Sequence, residues 1–267
     1  MVKLFGGNKD IALLWWKFPA GERSVKIVDP LEIHRYKNFT IIVDFQSSDD
    51  LIDMMLLTNA CRNVLGSVSL RLAIPYFPFA RQDRVMSAGE ALAVQIPATM
   101  IKSCNFNDIE IWDPHSSVVE ALFEPGKLTV RSQAELLYPI IKVSLIAEET
   151  ALISPDAGAS KKVYALAKLL NTPVIEASKS RDVSTGAISK TNIDLEAVSA
   201  YNRLIVVDDI CDGGKTFIEL AKVLRTTFKG QLDLVVTHGI FSKGLDELNK
   251  YYNYIYSAND MRNKNNV

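Results

Sequence analysis

The sequence predicts an α/β protein built on mainly parallel sheets flanked by helices, and three observations carry that prediction. Short runs that are apolar at nearly every residue recur along the chain, segments of helical period lie between them, and polar residues gather just after the runs. A strand covered on both faces has no polar side to show. An unalternating apolar run therefore points to a parallel sheet with helices on each side.

The runs are TIIVDF at 40–45, LRLAIPYF at 70–77, DIEIWDPH at 108–115, ALISPDAG at 151–158, RLIVVDD at 203–209 and LDLVVTHG at 232–239. Between them, LIDMMLLTNACRNVLG (51–66), EALAVQIPATMIKSC (90–104), SKKVYALAKLL (160–170) and TFIELAKVLRTTF (216–228) read as helices. In the last, Phe217, Leu220, Ala221, Leu224 and Phe228 fall on one face. Pro97 is expected to kink the second. A second set of alternating units begins after VSLIAEET (143–150), which sets the expected domains at 1–145 and 146–267. The segment SKSRDVSTGAISKTN, 178–192, is polar and unpatterned and is expected to be a loop of lid length.

Composition narrows the function. The 267 residues suffice for one large domain or two ordinary ones, and 48% apolar residues provide the core. Thirty basic against thirty-one acidic residues leave a net charge of −1, which argues against nucleic-acid or membrane-surface partners. Cys61, Cys104 and Cys211 lack disulfide or zinc spacing and read as reduced thiols. The start, MVKLFGGNKDIALLWWKF, has no long apolar signal core, and no run reaches membrane-spanning length, so a soluble cytoplasmic protein is expected.

Chemistry collects at the carboxyl ends of four runs: ARQDR (80–84), DPHS (113–116), SPDAG (154–158) and DDICDGGKT (208–216). Open α/β sheets bind ligands there. DDICDGGKT ends like a nucleotide P-loop, but that pattern needs glycine at 209, which is Asp209. What remains is a strand, two carboxylates and a loop of small residues opening a helix. Backbone amides at such a helix start suit a phosphate, and Asp208 and Asp209 suit vicinal hydroxyls. The plain alternative is an ordinary turn whose helix is capped by Asp212.

This stretch resembles the phosphoribosyl-pyrophosphate loop of type I phosphoribosyltransferases. Alone, that resemblance leaves open whether the ligand is made or consumed. FPFARQDR adds Arg81 and Arg84, guanidinium forks suited to polyphosphate. DPHS adds Asp113 and His115, and SPDAG adds Asp156, a carboxylate suited to magnesium. With FPAGE (18–22), the pair Lys179 and Arg181, and THGIFS (237–242), the order of motifs closely resembles that of the ribose-phosphate pyrophosphokinase family over nearly the whole chain.

The resemblance implies two tandem type I phosphoribosyltransferase-like domains, the first for ATP and the second for ribose 5-phosphate. It implies that Arg81, Gln82, Arg84 and His115 hold ATP, with Phe18 and Glu22 on adenine from a neighbouring subunit. His115 and Asp156 would serve Mg2+. Lys179 and Arg181 would be catalytic, on a mobile loop. Asp208, Asp209, Asp212, Gly213, Gly214, Lys215 and Thr216 would bind ribose 5-phosphate. A homo-oligomer, at least a dimer, follows from the shared adenine site, and helix 51–66 is the expected interface.

Three departures stand out. Ala20 replaces the aspartate of F-x-D-G-E, removing one hydrogen bond to adenine. VMSAGEA replaces the arginines that follow ARQDR in many members, so allosteric inhibition by phosphate or ADP is expected to be weak or absent. The end, NDMRNKNNV, is shorter than usual, so one strand fewer is expected. Two other readings are a phosphoribosyltransferase acting on a base and an inactive homologue serving as a regulatory subunit. Intact Lys179, Arg181, His115 and Asp156 speak against the latter.

Overall fold

The computed structural model describes residues 1–181 and 188–262. The chain divides into two compact units, one ending at Arg131 and the other beginning at Ser132. The division falls earlier than the expected 145/146. Its reason is the helix Gln133–Lys142, whose Leu137 and Ile141 are buried in the core of the second unit.

The first unit contains β1 (Val2–Gly6), β2 (Lys9–Ile11), β3 (Leu13–Lys17), β4 (Arg23–Ile27), β5 (Phe39–Val43), α1 (Asp49–Leu65), β6 (Leu70–Ile74), α2 (Gln95–Ser103), β7 (Asp108–Trp112), α3 (Val118–Ala121) and β8 (Leu128–Arg131). Its sheet runs β2-β1-β5-β6-β7-β8, parallel from β5 to β8 and antiparallel around β1. Strands β3 and β4 form a separate hairpin. The Arg23 guanidinium donates two hydrogen bonds, 2.6 and 2.5 Å, to the carboxylate of buried Asp53 and so ties the hairpin to α1. Leu51, Met54, Leu57 and Cys61 of α1 are buried, the last three in this unit's core, while Ile52 on the same helix is exposed. Helix α2 starts at Gln95 rather than near Glu90, which puts Pro97 in the first turn, where its missing N–H has no intrahelical partner to lose.

The second unit contains α4 (Gln133–Lys142), β9 (Thr150–Ser154), α5 (Ala157–Leu170), β10 (Val174–Arg181), β11 (Ile188–Ile193), α6 (Leu195–Val198), β12 (Arg203–Cys211), α7 (Lys215–Leu224), β13 (Gln231–Gly239), α8 (Asp246–Asn249) and β14 (Tyr254–Asp260). Its sheet runs β11-β10-β9-β12-β13-β14, with only β11 antiparallel. Alternate residues of the central strands serve opposite faces. Leu204, Val206, Leu232 and Leu234 pack with Phe217 and Leu220 of α7, whereas Ile205, Val207 and Val235 pack with α4 and α5. The doubly covered parallel sheet expected from the apolar runs is present.

The expected structureless segment is a correction. β10 runs on to Arg181 and pairs with β11, with Lys179 opposite Thr191 and Arg181 opposite Ile188. Alternation in polar residues is invisible to a search for apolar runs. Residues 182–187 of that segment, and the side chains of Lys179 and Arg181, lie outside the described residues.

Candidate active site

In the first unit, the motifs follow the carboxyl ends of β6 and β7. Gln82 N donates to Phe79 O at 2.9 Å, and Gln82 O accepts from Val94 N at 3.3 Å, shaping the ARQDR turn around buried Ala80. Arg81, Gln82 and Arg84 are exposed, and Arg84 Nε lies 3.5 Å from Asp83 Oδ1. At the end of β7, buried Asp113 takes a left-handed φ of 37° while its amide donates to Arg131 O at 2.8 Å. Aspartate tolerates that conformation better than most residues. The turn presents His115 to solvent.

The two motifs meet. A hydrogen bond from Ser116, with smaller help from the charges of Arg84 and His115, holds the Asp83 carboxyl below the usual aspartate range. Asp83 and Ser116 lay inside the motifs, but nothing in their spacing predicted that they would bind each other. FPAGE forms the tip of the β3–β4 hairpin, closed by Phe18 N to Glu22 O and Gly21 N to Phe18 O, both 2.8 Å. Gly21 has φ 97°, a conformation open to glycine. Phe18 and Glu22 are both exposed there, with the Phe18 ring edge-on to Trp16.

In the second unit, Asp208 and Asp209 occupy the last turns of β12, and the strand's alternation turns them to opposite sides. Asp209 is buried and pairs with Lys162 of α5, Nζ to Oδ2 3.4 Å. Burial first, then the charge of Asp209 and more weakly that of Asp156, push the Asp208 carboxyl well above the ordinary aspartate value. Asp156 is the N-cap of α5, its Oδ1 accepting from Gly158 N at 3.1 Å and Ala159 N at 3.3 Å.

Helix α7 begins differently. Its N-cap is Gly214, at φ 75°, with no side-chain cap, while α4, α5 and α6 of the same unit are capped by Ser132, Asp156 and Asp194. The N-cap position itself falls on Gly214, two residues beyond Asp212. A glycine cap brings no side chain of its own to the first-turn amides of α7, the kind of helix start that suits a phosphate. Gly213, Lys215 and Thr216 surround this opening, with Lys215 exposed. The thiol of Cys211 just before it is pushed up to about 12, chiefly by burial, which leaves it inert.

Lys162 was missed because SKK reads as ordinary helix surface. Its signal is position: six residues beyond Asp156, it faces the sheet end where the carboxylates gather. Among the described residues, no group of three or more His, Cys, Asp or Glu side chains converges tightly enough to hold a metal ion. No helix among them is long and apolar enough to cross a membrane.

Two α/β units, each a parallel-rich sheet with its polar motifs after the strand ends, define the class: tandem type I phosphoribosyltransferase-like folds. The fold matches the crystal structure of phosphoribosylpyrophosphate synthetase from Mycobacterium smegmatis with a TM-score of 0.70, covering 91% of this chain and 78% of that one at 18% identity. Residues 11–104 match the family model describing the N-terminal domain of ribose phosphate pyrophosphokinase. The chain is 26% identical over 234 residues to the ribose-phosphate pyrophosphokinase of Thermococcus kodakarensis, covering 86% of this chain and 79% of the relative. It is 28% identical over 246 residues to that of Pyrococcus abyssi, covering 91% and 82%. The chain is thus similar to ribose-phosphate pyrophosphokinases over most of its length, at 26–28% identity.

Proposed function

We propose that the chain transfers the β,γ-pyrophosphoryl group of ATP to the anomeric hydroxyl of ribose 5-phosphate, giving 5-phosphoribosyl 1-pyrophosphate and AMP. The observation that carries this reading is the uncapped start of α7 directly after Asp208 and Asp209. One fold feature offers a phosphate cradle and two carboxylates for sugar hydroxyls, in a chain related to pyrophosphokinases.

Ribose 5-phosphate would place its phosphate on the amides of residues 213–216, beside Lys215 and Thr216. Asp208, Asp209 and Asp212 would orient the sugar. Arg81, Gln82, Arg84 and His115 would grip the nucleotide phosphates, and Phe18 and Glu22, from the hairpin of a second copy, the adenine. The attacking anomeric oxygen forms a bond to the β-phosphorus. The bond from that phosphorus to the oxygen bridging the α-phosphate breaks, AMP departs with the bridging oxygen, and the hydroxyl proton passes to water. Positioning and charge stabilisation account for such a transfer, and Lys179 and Arg181 would supply positive charge at the β-phosphate.

The donor set fits magnesium in one particular way. The carboxylates at the end of β12 are hard oxygen donors under mutual repulsion, yet no protein cage forms among the described residues. Magnesium keeps several waters and binds through one or two carboxylates together with substrate phosphates. When bound, magnesium would neutralise charge on the triphosphate; His115 in the first unit and Asp156 in the second would each serve a magnesium site. The reading carries with it a cytoplasmic homo-oligomer. Ribose 5-phosphate-dependent AMP formation tests it: Asp209→Asn should lower that rate at least about 100-fold, and a variant with unchanged turnover would contradict the assignment.

A further inference from the structure

The motif THGIFS and the two residues after it have no role in the reading so far, yet they lie against the phosphate loop. The amides of Ile240 and Phe241 both donate to Cys211 O, at 2.9 and 3.1 Å, which fastens this turn to the end of β12. Phe241 is buried at a left-handed φ of 48°, and Gly239 is required beside it, since a Cβ there would meet the Phe241 ring at 2.0 Å. The turn is closed by Gly244 N donating to Phe241 O at 2.8 Å. Ser242 and Lys243 are thereby held on the loop. A Cβ on Gly213 would lie 3.7 Å from both Cδ and Cε of Lys243 and 3.9 Å from Ser242 Oγ.

Lys243 therefore rests its aliphatic stem on the backbone of Gly213, with its ammonium one bond beyond Cε. It makes no hydrogen bond or ion pair among the described residues, nor does Lys215. By contrast, Lys250, a turn further along, pairs with Glu247. Two unpartnered ammonium groups thus flank one uncapped helix start. A lysine acts on phosphate as a point charge and needs no fixed fork geometry, so a stem held in place suffices to aim it.

Building on the ribose 5-phosphate reading of this site, we propose that Lys243 is a specificity-determining residue for the 5-phosphate, acting together with Lys215 at the start of α7. Together they select a dianionic phosphoester over an unphosphorylated sugar. Neither residue is needed to bind ATP.

The test is calorimetric titration of the full chain with ribose 5-phosphate, for the wild type and for Lys243→Gln, Lys243→Arg, Lys215→Gln and Lys250→Gln. Lys243→Gln should weaken binding about 5- to 20-fold, in the range of one charge-assisted contact. Lys243→Arg should restore most of it, Lys250→Gln should bind as the wild type does, and the KM for ATP should not move. Wild-type affinity in Lys243→Gln, alongside a weakened Lys215→Gln, would make Lys243 a solvated surface lysine and leave the site reading intact. Equal weakening in Lys250→Gln would reduce the effect to general surface charge and overturn the proposal. A wild type that does not bind ribose 5-phosphate would remove the site reading and this inference together.

Discussion

The backbone amide of Asp209 donates a 2.9 Å hydrogen bond to Oδ1 of Asp208, the carboxylate immediately before it. The bond fixes the Asp208 carboxylate against the backbone of its own strand end. It does not cancel the repulsion between the two acids, since the Asp208 carboxyl still stands well above the ordinary aspartate value.

A pH dependence of stability follows. An acid whose folded value is raised holds its proton more tightly in the folded state. Stability is then fully present below the unfolded aspartate value and falls as pH rises toward the folded one. Asp208→Asn should flatten that decline and raise the melting temperature at neutral pH by a few degrees in ligand-free protein. Melting scans across pH check this, and parallel curves for variant and wild type would contradict it.

The Arg23–Asp53 pair links the FPAGE hairpin to α1, and the Asp53 side chain is only 5% exposed. Arg23→Ala leaves that carboxylate unpaired and should destabilise the first unit by about 2–4 kcal/mol. Urea denaturation measures the loss. Turnover should fall with it, because Phe18 and Glu22 sit at the tip that Arg23 anchors.

Gly214→Ala tests the loop itself. At φ 75°, with Leu248 atoms 3.3 Å from the new Cβ, alanine should cost about 1–2 kcal/mol and displace the first-turn amides. Affinity for ribose 5-phosphate should drop while the KM for ATP stays near its wild-type value. Steady-state kinetics with each substrate varied in turn separates the two.

Lys179→Ala should lower turnover by about two to three orders of magnitude and leave ribose 5-phosphate binding within about twofold. Calorimetry beside single-turnover rates reads the two effects separately. A mild rate change would remove Lys179 from the chemistry.

Inhibition by phosphate or ADP should be competitive and relieved by substrate. In the segment after ARQDR, the amides of Met86 and Ser87 already donate to Glu90, at 2.9 and 3.1 Å, and that carboxylate repels anions. Initial rates at several inhibitor concentrations check this. Inhibition that persists at saturating substrate would reveal a separate site.

The central strands and their terminal chemistry were legible because a doubly covered strand must be apolar throughout. What escaped was half-covered or polar. VKLFG and YIYSAND alternate in burial at or near sheet edges, and β10–β11 is an antiparallel pairing of polar residues. The boundary was misplaced because α4 follows the last strand of one unit yet packs on the next. Asp208, Asp209 and the glycine loop were readable as a local pattern. Lys162 and Lys243 were not, because only the fold brings α5 and the turn after β13 to the same loop.

The central claim is that the pyrophosphoryl group moves intact. ATP carrying its label on the β-phosphorus, incubated with the protein, ribose 5-phosphate and magnesium, tests it directly once products are separated. The account predicts that the label passes to a phosphoribosyl pyrophosphate, with unlabelled AMP formed in equal amount and only when ribose 5-phosphate is present. Label appearing in ADP, or remaining in ATP, would contradict it.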